Sequence, residues 1–295
     1  MKTVIITGAN SGLGFECARN ILLTGTEYFV VMACRNPDKA QAAKTALMNE
    51  TGNNNVEVMG LDLSSLQSVR DFAKNFMNSS LPPLYGIVCN AGIAGTHIGQ
   101  TVDGYELIFG TNHLGHFLLT ALLIPNVMDN GRIVIVSSDM HNPPGGISYP
   151  GANILADPEN GLSNRYPLSK LCNLYFAYEL SRKLEHMQKP ITVNTFNPGL
   201  LTETNLSAGH KDRFTEEFLE RVKDLIGSLP VSSEALAGMV TDPHFGTVTA
   251  TYNDRGTIKP SSELSYHVQN QTDLWTTSVI LSGLADEDTF PELKR

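Results

Sequence analysis

The sequence predicts a doubly wound α/β fold, with a parallel sheet of about seven strands covered by helices on both faces. Three observations carry this. Short apolar runs rich in Val and Ile alternate with longer stretches of helical periodicity along all 295 residues. The first run, Val4-Ile5-Ile6, breaks into a glycine-rich turn, Thr7-Gly8-Ala9-Asn10-Ser11-Gly12-Leu13-Gly14. A helical pattern with Leu13, Cys17 and Ile21 on one face follows at once. No repeat, low-complexity segment or linker divides the chain, so residues 1–295 read as one domain.

The elements follow in order. Strands are predicted at Thr3–Ile6, Tyr28–Ala33, Val56–Leu61, Gly86–Cys89, Gly131–Val136 and Ile191–Phe196, with a seventh near Thr247–Tyr252. Helices are predicted at Leu13–Leu23, Pro37–Glu50, Leu66–Met77, Gly104–Met128, Leu168–Gln188, Ser233–Thr241 and Thr272–Leu281. Strand–helix alternation of this kind closes through right-handed crossovers into a parallel sheet. Ligands in such sheets bind beyond the carboxyl ends of the strands. Gly8, Arg35, Asp62, Asn90, Ser138 and Pro198 all follow predicted strands.

Strand, glycine turn and helix together make a dinucleotide-phosphate site. Gly8 permits the tight turn, Gly12 lets backbone N–H groups approach a pyrophosphate, and Gly14 lets helix pack on strand. Asn10, Ser11 and Leu13 complete the turn. The second strand ends Val31-Met32-Ala33-Cys34-Arg35-Asn36, without the acid that would bind the ribose hydroxyls of NAD. Arg35 instead offers a planar cation to a 2′-phosphate, so the expected cofactor is NADP(H). A surface arginine beside a loop is the plainer reading of the same residue.

A second constellation lies at Asn164–Asn173, NRYPLSKLCN. Tyr166 and Lys170 are four apart and share a helix face, and Pro167 suits a first turn, placing Tyr166 at or just before the helix start. A free phenol ionises near pH 10, and an ammonium beside it should lower that value. The pair therefore reads as an acid/base for interconverting an alcohol and a ketone. Arg132–Ser138, RIVIVSS, is a buried-type strand ending in two hydroxyls, of which Ser138 is expected to hydrogen-bond the substrate oxygen. Taken alone, a Tyr–Lys pair at this spacing is usually a solvated helix face.

With its GxxxGxG spacing after Thr7, the chain resembles the short-chain dehydrogenase/reductase family, whose fold is of the Rossmann type. Thr111-Asn112-His113-Leu114-Gly115-His116-Phe117 matches the family's asparagine segment. The resemblance implies a catalytic set of Asn112, Ser138, Tyr166 and Lys170, with Lys170 also holding the nicotinamide ribose. It further implies that Asp62, followed by Leu63, meets the adenine edge, and that Asn90-Ala91-Gly92 supports the adenosine side. Pro198-Gly199 then lies near the nicotinamide, and Thr202 or Thr204 reaches the carboxamide or pyrophosphate. Four motifs in the family's order, from Thr7 to Lys170, make coincidence a poor explanation.

Within the family, the chain resembles the subgroup of retinol dehydrogenases and light-dependent protochlorophyllide oxidoreductase. Its Ser138–Tyr166 spacing is long, with a Pro/Gly-rich loop between. Insertions at 139–163 and 203–231 are expected over the active site. The second carries Phe214, Phe218, Val222, Leu225 and Ile226 at helical spacing, as a lid or an ordinary packed helix. Leu200 stands where the photoenzyme has a cysteine, which weighs against the pigment reaction. The expected activity is an NADP(H)-dependent carbonyl reductase or alcohol dehydrogenase acting on a bulky apolar carbonyl compound. A photoreductase-like double-bond reductase and a non-catalytic NADP-binding regulator are the alternatives.

Composition bounds the partners. A net charge of −9 without a basic run argues against nucleic acid and anionic membrane. The strand beginning at Lys2 leads us to expect no signal peptide. No apolar run is expected to span a membrane, and the expected compartment is the cytoplasm. Cys17, Cys34, Cys89 and Cys172 have no zinc or CxxC spacing and read as core thiols. His113 and His116 lack a third ligand at matching spacing, so no metal is expected. Monomer and homo-oligomer both remain open.

Overall fold

The structure, a computed structural model, describes residues 1–95, 99–204, 206 and 214–294. Its strands are β1 (Lys2–Thr7), β2 (Tyr28–Cys34), β3 (Val56–Gly60), β4 (Leu84–Cys89), β5 (Val127–Val136), β6 (Thr192–Asn197), β7 (Tyr252–Asp254) and β8 (Thr257–Lys259). They form one sheet in the order β3-β2-β1-β4-β5-β6-β7-β8. The first seven run parallel, and β8 is antiparallel to β7. The strand order reverses between β1 and β4, which opens a crevice beyond their carboxyl ends.

Side-chain alternation builds a core on each face. From β1, Val4 and Ile6 pack with Cys17 and Ile21 of α1 (Gly12–Leu23), Leu47 of α2 (Pro37–Thr51) and Leu236 of a later helix. Ile5 faces the other way, toward Phe72 of α3 (Leu66–Met77) and Phe117 of α4 (Leu107–Asn126). Among the described residues the remaining α-helices are α5 (Ala152–Ala156), α6 (Arg165–His186), α7 (Glu216–Arg221), α8 (Leu229–Thr241) and α9 (Val268–Ser282).

Several sequence expectations need correction. The helix expected at Gly104–Met128 starts at Leu107, where the Glu106 carboxylate caps the N–H groups of Ile108 and Phe109. It contains a π-helical turn at Gly110–Leu114. By length and hydropathy this helix could cross a membrane, contrary to the expectation, yet 89% of its apolar window is buried in the fold. It is the central core helix, so its apolar composition serves packing. The seventh strand is shifted from Thr247–Tyr252 to Tyr252–Asp254, because Ala250 adopts φ 55° and interrupts the extension. An eighth strand, not foreseen, turns back through Arg255-Gly256.

Of the two expected insertions, the first is packed more tightly than a loop. Ala152, Leu155 and Ala156 bury against Leu168, Leu171 and Tyr175 of α6. The Asp273 carboxylate on α9 accepts from the Tyr149 hydroxyl at 2.8 Å and from the Ala152 N–H at 3.0 Å. In the second insertion, residues 205 and 207–213 lie outside the described residues. The expected stripe from Phe214 to Ile226 does not form one packed helix: α7 stops at Arg221 and buries none of its residues.

Candidate active site

The glycine turn closes the crevice between β1 and β4. Gly8 has φ 67°, a left-handed conformation that favours glycine. A Cβ on Gly14 would meet the Asn90 side-chain amide at 2.5 Å and the Gly8 carbonyl at 2.7 Å, so α1 touches the turn at this residue. The Thr7 hydroxyl accepts from the N–H groups of Asn90 and Ala91, both at 2.9 Å. The Asn90 amide returns a bond to the Thr7 carbonyl at 2.8 Å. Ser11 precedes α1 without a side-chain cap, and no acidic residue occupies the first turn. The uncapped N–H groups of the first turn of α1 and the dipole of that helix suit an anion. A cleft of about 530 Å³ runs past Asn10, Ser11, Gly12, Phe15 and Lys39. This chain's residues thus fit a dinucleotide phosphate at the turn.

The four expected catalytic residues come from three elements and meet at the carboxyl end of β5. Ser138 follows that strand, Tyr166 and Lys170 lie on α6, and Asn112 lies in the π-turn of α4. The two hydroxyls ending β5 separate: Ser137 donates to the Lys170 carbonyl at 2.8 Å, while the Ser138 hydroxyl accepts from the Met140 N–H at 3.2 Å and acts on the Tyr166 phenol, lowering its ionisation. Lys170 is 3% exposed, donates to the Val136 carbonyl at 3.1 Å, and lies 5.5 Å from the Tyr166 ring centroid. A Cβ on Gly92 would stand 3.2 Å from Asn112 Oδ1 and 3.7 Å from Lys170 Nζ, so all three groups crowd one point.

Electrostatics correct one sequence expectation. Burial pushes the Tyr166 phenol up to about 12, although the Ser138 hydrogen bond pulls it down. Burial also lowers the Lys170 ammonium to about 8. Proximity in sequence implied a phenol lowered by its lysine, but Lys170 is turned to a carbonyl and desolvation dominates. The phenol therefore holds its proton at neutral pH. Tyr166 is the second residue of α6, which begins at Arg165 rather than near Leu168.

The outer site residues take distinct places. Arg35 is exposed just beyond β2, near Lys39 at the start of α2. Asp62 is half-buried, and its Oδ1 accepts from Ser64 N–H and Oγ at 3.0 and 2.7 Å, while Leu63 is buried. Thr204 packs on Gly12, with its Cγ2 3.4 Å from where a Cβ would stand. Thr202 points its hydroxyl toward Glu203 instead. The Pro198 carbonyl accepts from Ser232 at 2.7 Å, and the Gly199 N–H donates to Asn197 Oδ1 at 3.1 Å. Leu200 is locked by backbone bonds to Leu225 and Gly227.

Sequence reasoning missed several residues that shape this site. Buried Asn197 accepts from the N–H groups of Asp139 and Gly199, tying Ser138's loop to the Pro-Gly turn. Arg165 gathers the carbonyls of Asp157 and Pro158, Asn160 Oδ1 and the Glu106 carboxylate. Lys39 had one available signal, a cation four residues beyond Arg35 at a helix start. His113 and His116 face different partners, Ser278 and Thr7. Cys172 is fully buried in the cluster behind α6, away from Tyr166 and Lys170.

Comparison with known proteins agrees with this geometry. The family model described as short chain dehydrogenase matches residues 2–152. Retinol dehydrogenase 14 of Homo sapiens is 39% identical over 220 residues, covering 70% of this chain and 63% of that protein. Polyprenol dehydrogenase of Danio rerio is 33% identical over 310 residues, covering 96% and 87%. The chain spans about half the length of several other curated relatives that it matches. A crystal structure of a putative uncharacterized protein from Mycobacterium Paratuberculosis superposes with a TM-score of 0.73 at 32% identity, over 96% of this chain and 94% of that one. With its sheet order, glycine turn and Ser-Tyr-Lys cluster, the chain belongs to the short-chain dehydrogenase family, in its retinol dehydrogenase-like branch.

Proposed function

We propose that this protein is an NADP(H)-dependent carbonyl reductase or alcohol dehydrogenase for bulky, mostly apolar substrates. The observation that carries the proposal is the meeting of Ser138, Tyr166, Lys170 and Asn112 at the carboxyl end of β5, beside the glycine turn. Bound cofactor supplies or accepts the hydride at the substrate carbon. Ser138 donates a hydrogen bond to the substrate oxygen. Tyr166, protonated at neutral pH, passes its proton to that oxygen as the carbonyl becomes an alcohol, and takes it back in the oxidative direction. Lys170 places positive charge behind the phenol and holds the nicotinamide ribose.

Preference for the phosphorylated cofactor rests on Arg35 and Lys39, two exposed cations where a dinucleotide fold brings the adenosine ribose. Thr204, not Thr202, is the residue assigned to the pyrophosphate, because it packs on Gly12. Asp62 and Leu63 border the adenine, and Asn90, Ala91 and Gly92 support the adenosine side. The stretch following Ser138 and the exposed apolar residues Leu225 and Ile226, beside Leu200 of the Pro-Gly turn, are assigned to the substrate side. The names of the retinol and polyprenol relatives point to the same class of long apolar alcohols and aldehydes. Four buried free thiols suit a reducing compartment, and the cytoplasm is the one proposed. Leu200, which has no proton to give, sets the pigment-reductase reading aside.

The test is a dark screen of ketones and aldehydes with NADPH, read by loss of nicotinamide absorbance. Turnover of bulky apolar carbonyls, with NADH much weaker, is the expected result. Failure of every carbonyl, together with light-dependent reduction of protochlorophyllide, would overturn it.

A further inference from the structure

His116 lies one helical turn after Asn112 on α4 and is 1% exposed. Its Nε2 is 2.9 Å from the Thr7 hydroxyl, and its Nδ1 is 3.1 Å from the Asn112 backbone carbonyl. Proton counting assigns the tautomer. Thr7 Oγ1 already accepts from the N–H groups of Asn90 and Ala91, which fills its two lone pairs. It can therefore only donate toward the imidazole, and the other acceptor in range, the Val88 carbonyl, is more distant at 3.4 Å. So Nε2 accepts, and the ring proton sits on Nδ1, donated to Asn112.

The ring is neutral. Burial lowers it to about 4 against the opposing pull of the Asn112 carbonyl, and the Lys170 ammonium adds to the lowering. Beyond the carbonyl, the Asn112 amide donates to the Ile93 carbonyl at 2.9 Å and to Ser169 Oγ at 3.0 Å, and its oxygen accepts from the Ile93 N–H at 2.8 Å. The π-turn steps the backbone ladder from i+4 to i+5 around Asn112, and the imidazole gives the carbonyl a side-chain donor at that disturbance. His113, on the same helix, makes no such link: it bonds Ser278 of α9, and its Nδ1 has no partner among the described residues.

We propose that His116 is a positioning residue, a neutral imidazole that ties the Thr7 hydroxyl beneath the glycine turn to the Asn112 carbonyl. One hydrogen-bonded chain then sets both the seat of the dinucleotide at the β1–β4 crevice and the alignment of Asn112 against Lys170. This assignment rests on the oxidoreductase reading above. It makes the two ends of the imidazole separable, since one serves cofactor binding and the other serves turnover.

Two amide variants divide those ends. His116→Asn keeps an N–H donor near the Nδ1 position but withdraws the acceptor from Thr7. His116→Gln keeps an acceptor near the Nε2 position but withdraws the donor from Asn112. For His116→Asn, the Kd for NADPH is expected to rise about threefold to tenfold, the loss of one hydrogen bond. Its kcat should fall less than that of His116→Gln. For His116→Gln, kcat is expected to fall roughly tenfold to hundredfold, as misplacement near the chemistry does, while NADPH binding is retained. A histidine that merely fills the core would lower Tm in both variants and move Kd and kcat together, or move neither. Either pattern would overturn the proposal.

Nitrogen NMR of the imidazole in the wild-type protein gives a readout that needs neither variant. The expected result at pH 7 is a protonated Nδ1 and a bare Nε2. A protonated Nε2, or a charged ring, overturns the assignment. NADPH binding and NMR require no substrate, so a wild type that reduces no carbonyl would contradict the proposed activity while these two measurements still decide the role of His116.

Discussion

Replacing Lys170 by methionine should stabilise the protein while disabling it. The ammonium is buried and bonded to one carbonyl, with no carboxylate partner among its described contacts. Its ionisation falls from 10.5 to about 8 in the fold. A value below that of the unfolded chain means that folding penalises the charged form, fully below pH 8, with the penalty fading as pH rises to 10.5. At pH 7 that penalty corresponds to about 3 kcal/mol. Loss of the bond to Val136 takes back about 1 kcal/mol, and the carbonyl keeps its bond from the Asn173 amide at 3.0 Å. The net gain of about 2 kcal/mol should raise Tm by about 3 °C in a chain of this length. Thermal melts followed by circular dichroism at pH 7 and pH 10 provide the assay. The variant should melt higher at pH 7, the gap should narrow at pH 10, and carbonyl reduction should drop by at least about tenfold. A lower Tm at pH 7, or a gap indifferent to pH, would refute the reasoning that burial of an unpaired charge is what this site sustains.

Two further outcomes follow from the cofactor side. Arg35→Ala should weaken NADPH binding roughly tenfold or more, as loss of a charge-assisted phosphate contact does, and should hardly affect NADH; equal weakening of both in fluorescence titrations would remove Arg35 from the 2′-phosphate. Gly14→Ala should destabilise the fold by about 1–3 kcal/mol through overpacking against Asn90 and Gly8 and should impair NADPH binding; a variant with wild-type Tm and Kd would show that α1 does not bear on the turn.

The parts of the fold legible in the sequence were those fixed by local chemistry. Val4-Ile5-Ile6 and Ile133-Val134-Ile135-Val136 are apolar, β-branched runs that become central strands, and Leu66–Met77 matched its helix at both ends. What escaped depended on distant partners or on burial. The Pro/Gly-rich stretch before Tyr166 reads as a loop, yet Asp273, more than a hundred residues away, holds α5 in place. The π-turn around Asn112 has no sequence signature, because no residue type specifies an i+5 step. β8 is three exposed residues long and exists through its pairing with β7. Tyr166 and Lys170 were readable as a pair from their spacing, but not the desolvation that raises one and lowers the other. For the same reason His116 looked like half of a histidine pair, although its partner is Thr7, 109 residues earlier.

The proposed function turns on the delivery of the proton by the Tyr166 phenol in carbonyl reduction. Its most direct test compares wild type with Tyr166→Phe at saturating NADPH, in the dark, on the best bulky apolar ketone or aldehyde. The change removes one hydroxyl and little packing, so NADPH binding and Tm should be retained. The kcat should fall by about 10²–10⁴, the usual worth of a general acid. A variant that keeps more than about a tenth of the wild-type kcat, well above what loss of such an acid allows, would contradict the assignment of Tyr166 as the proton donor.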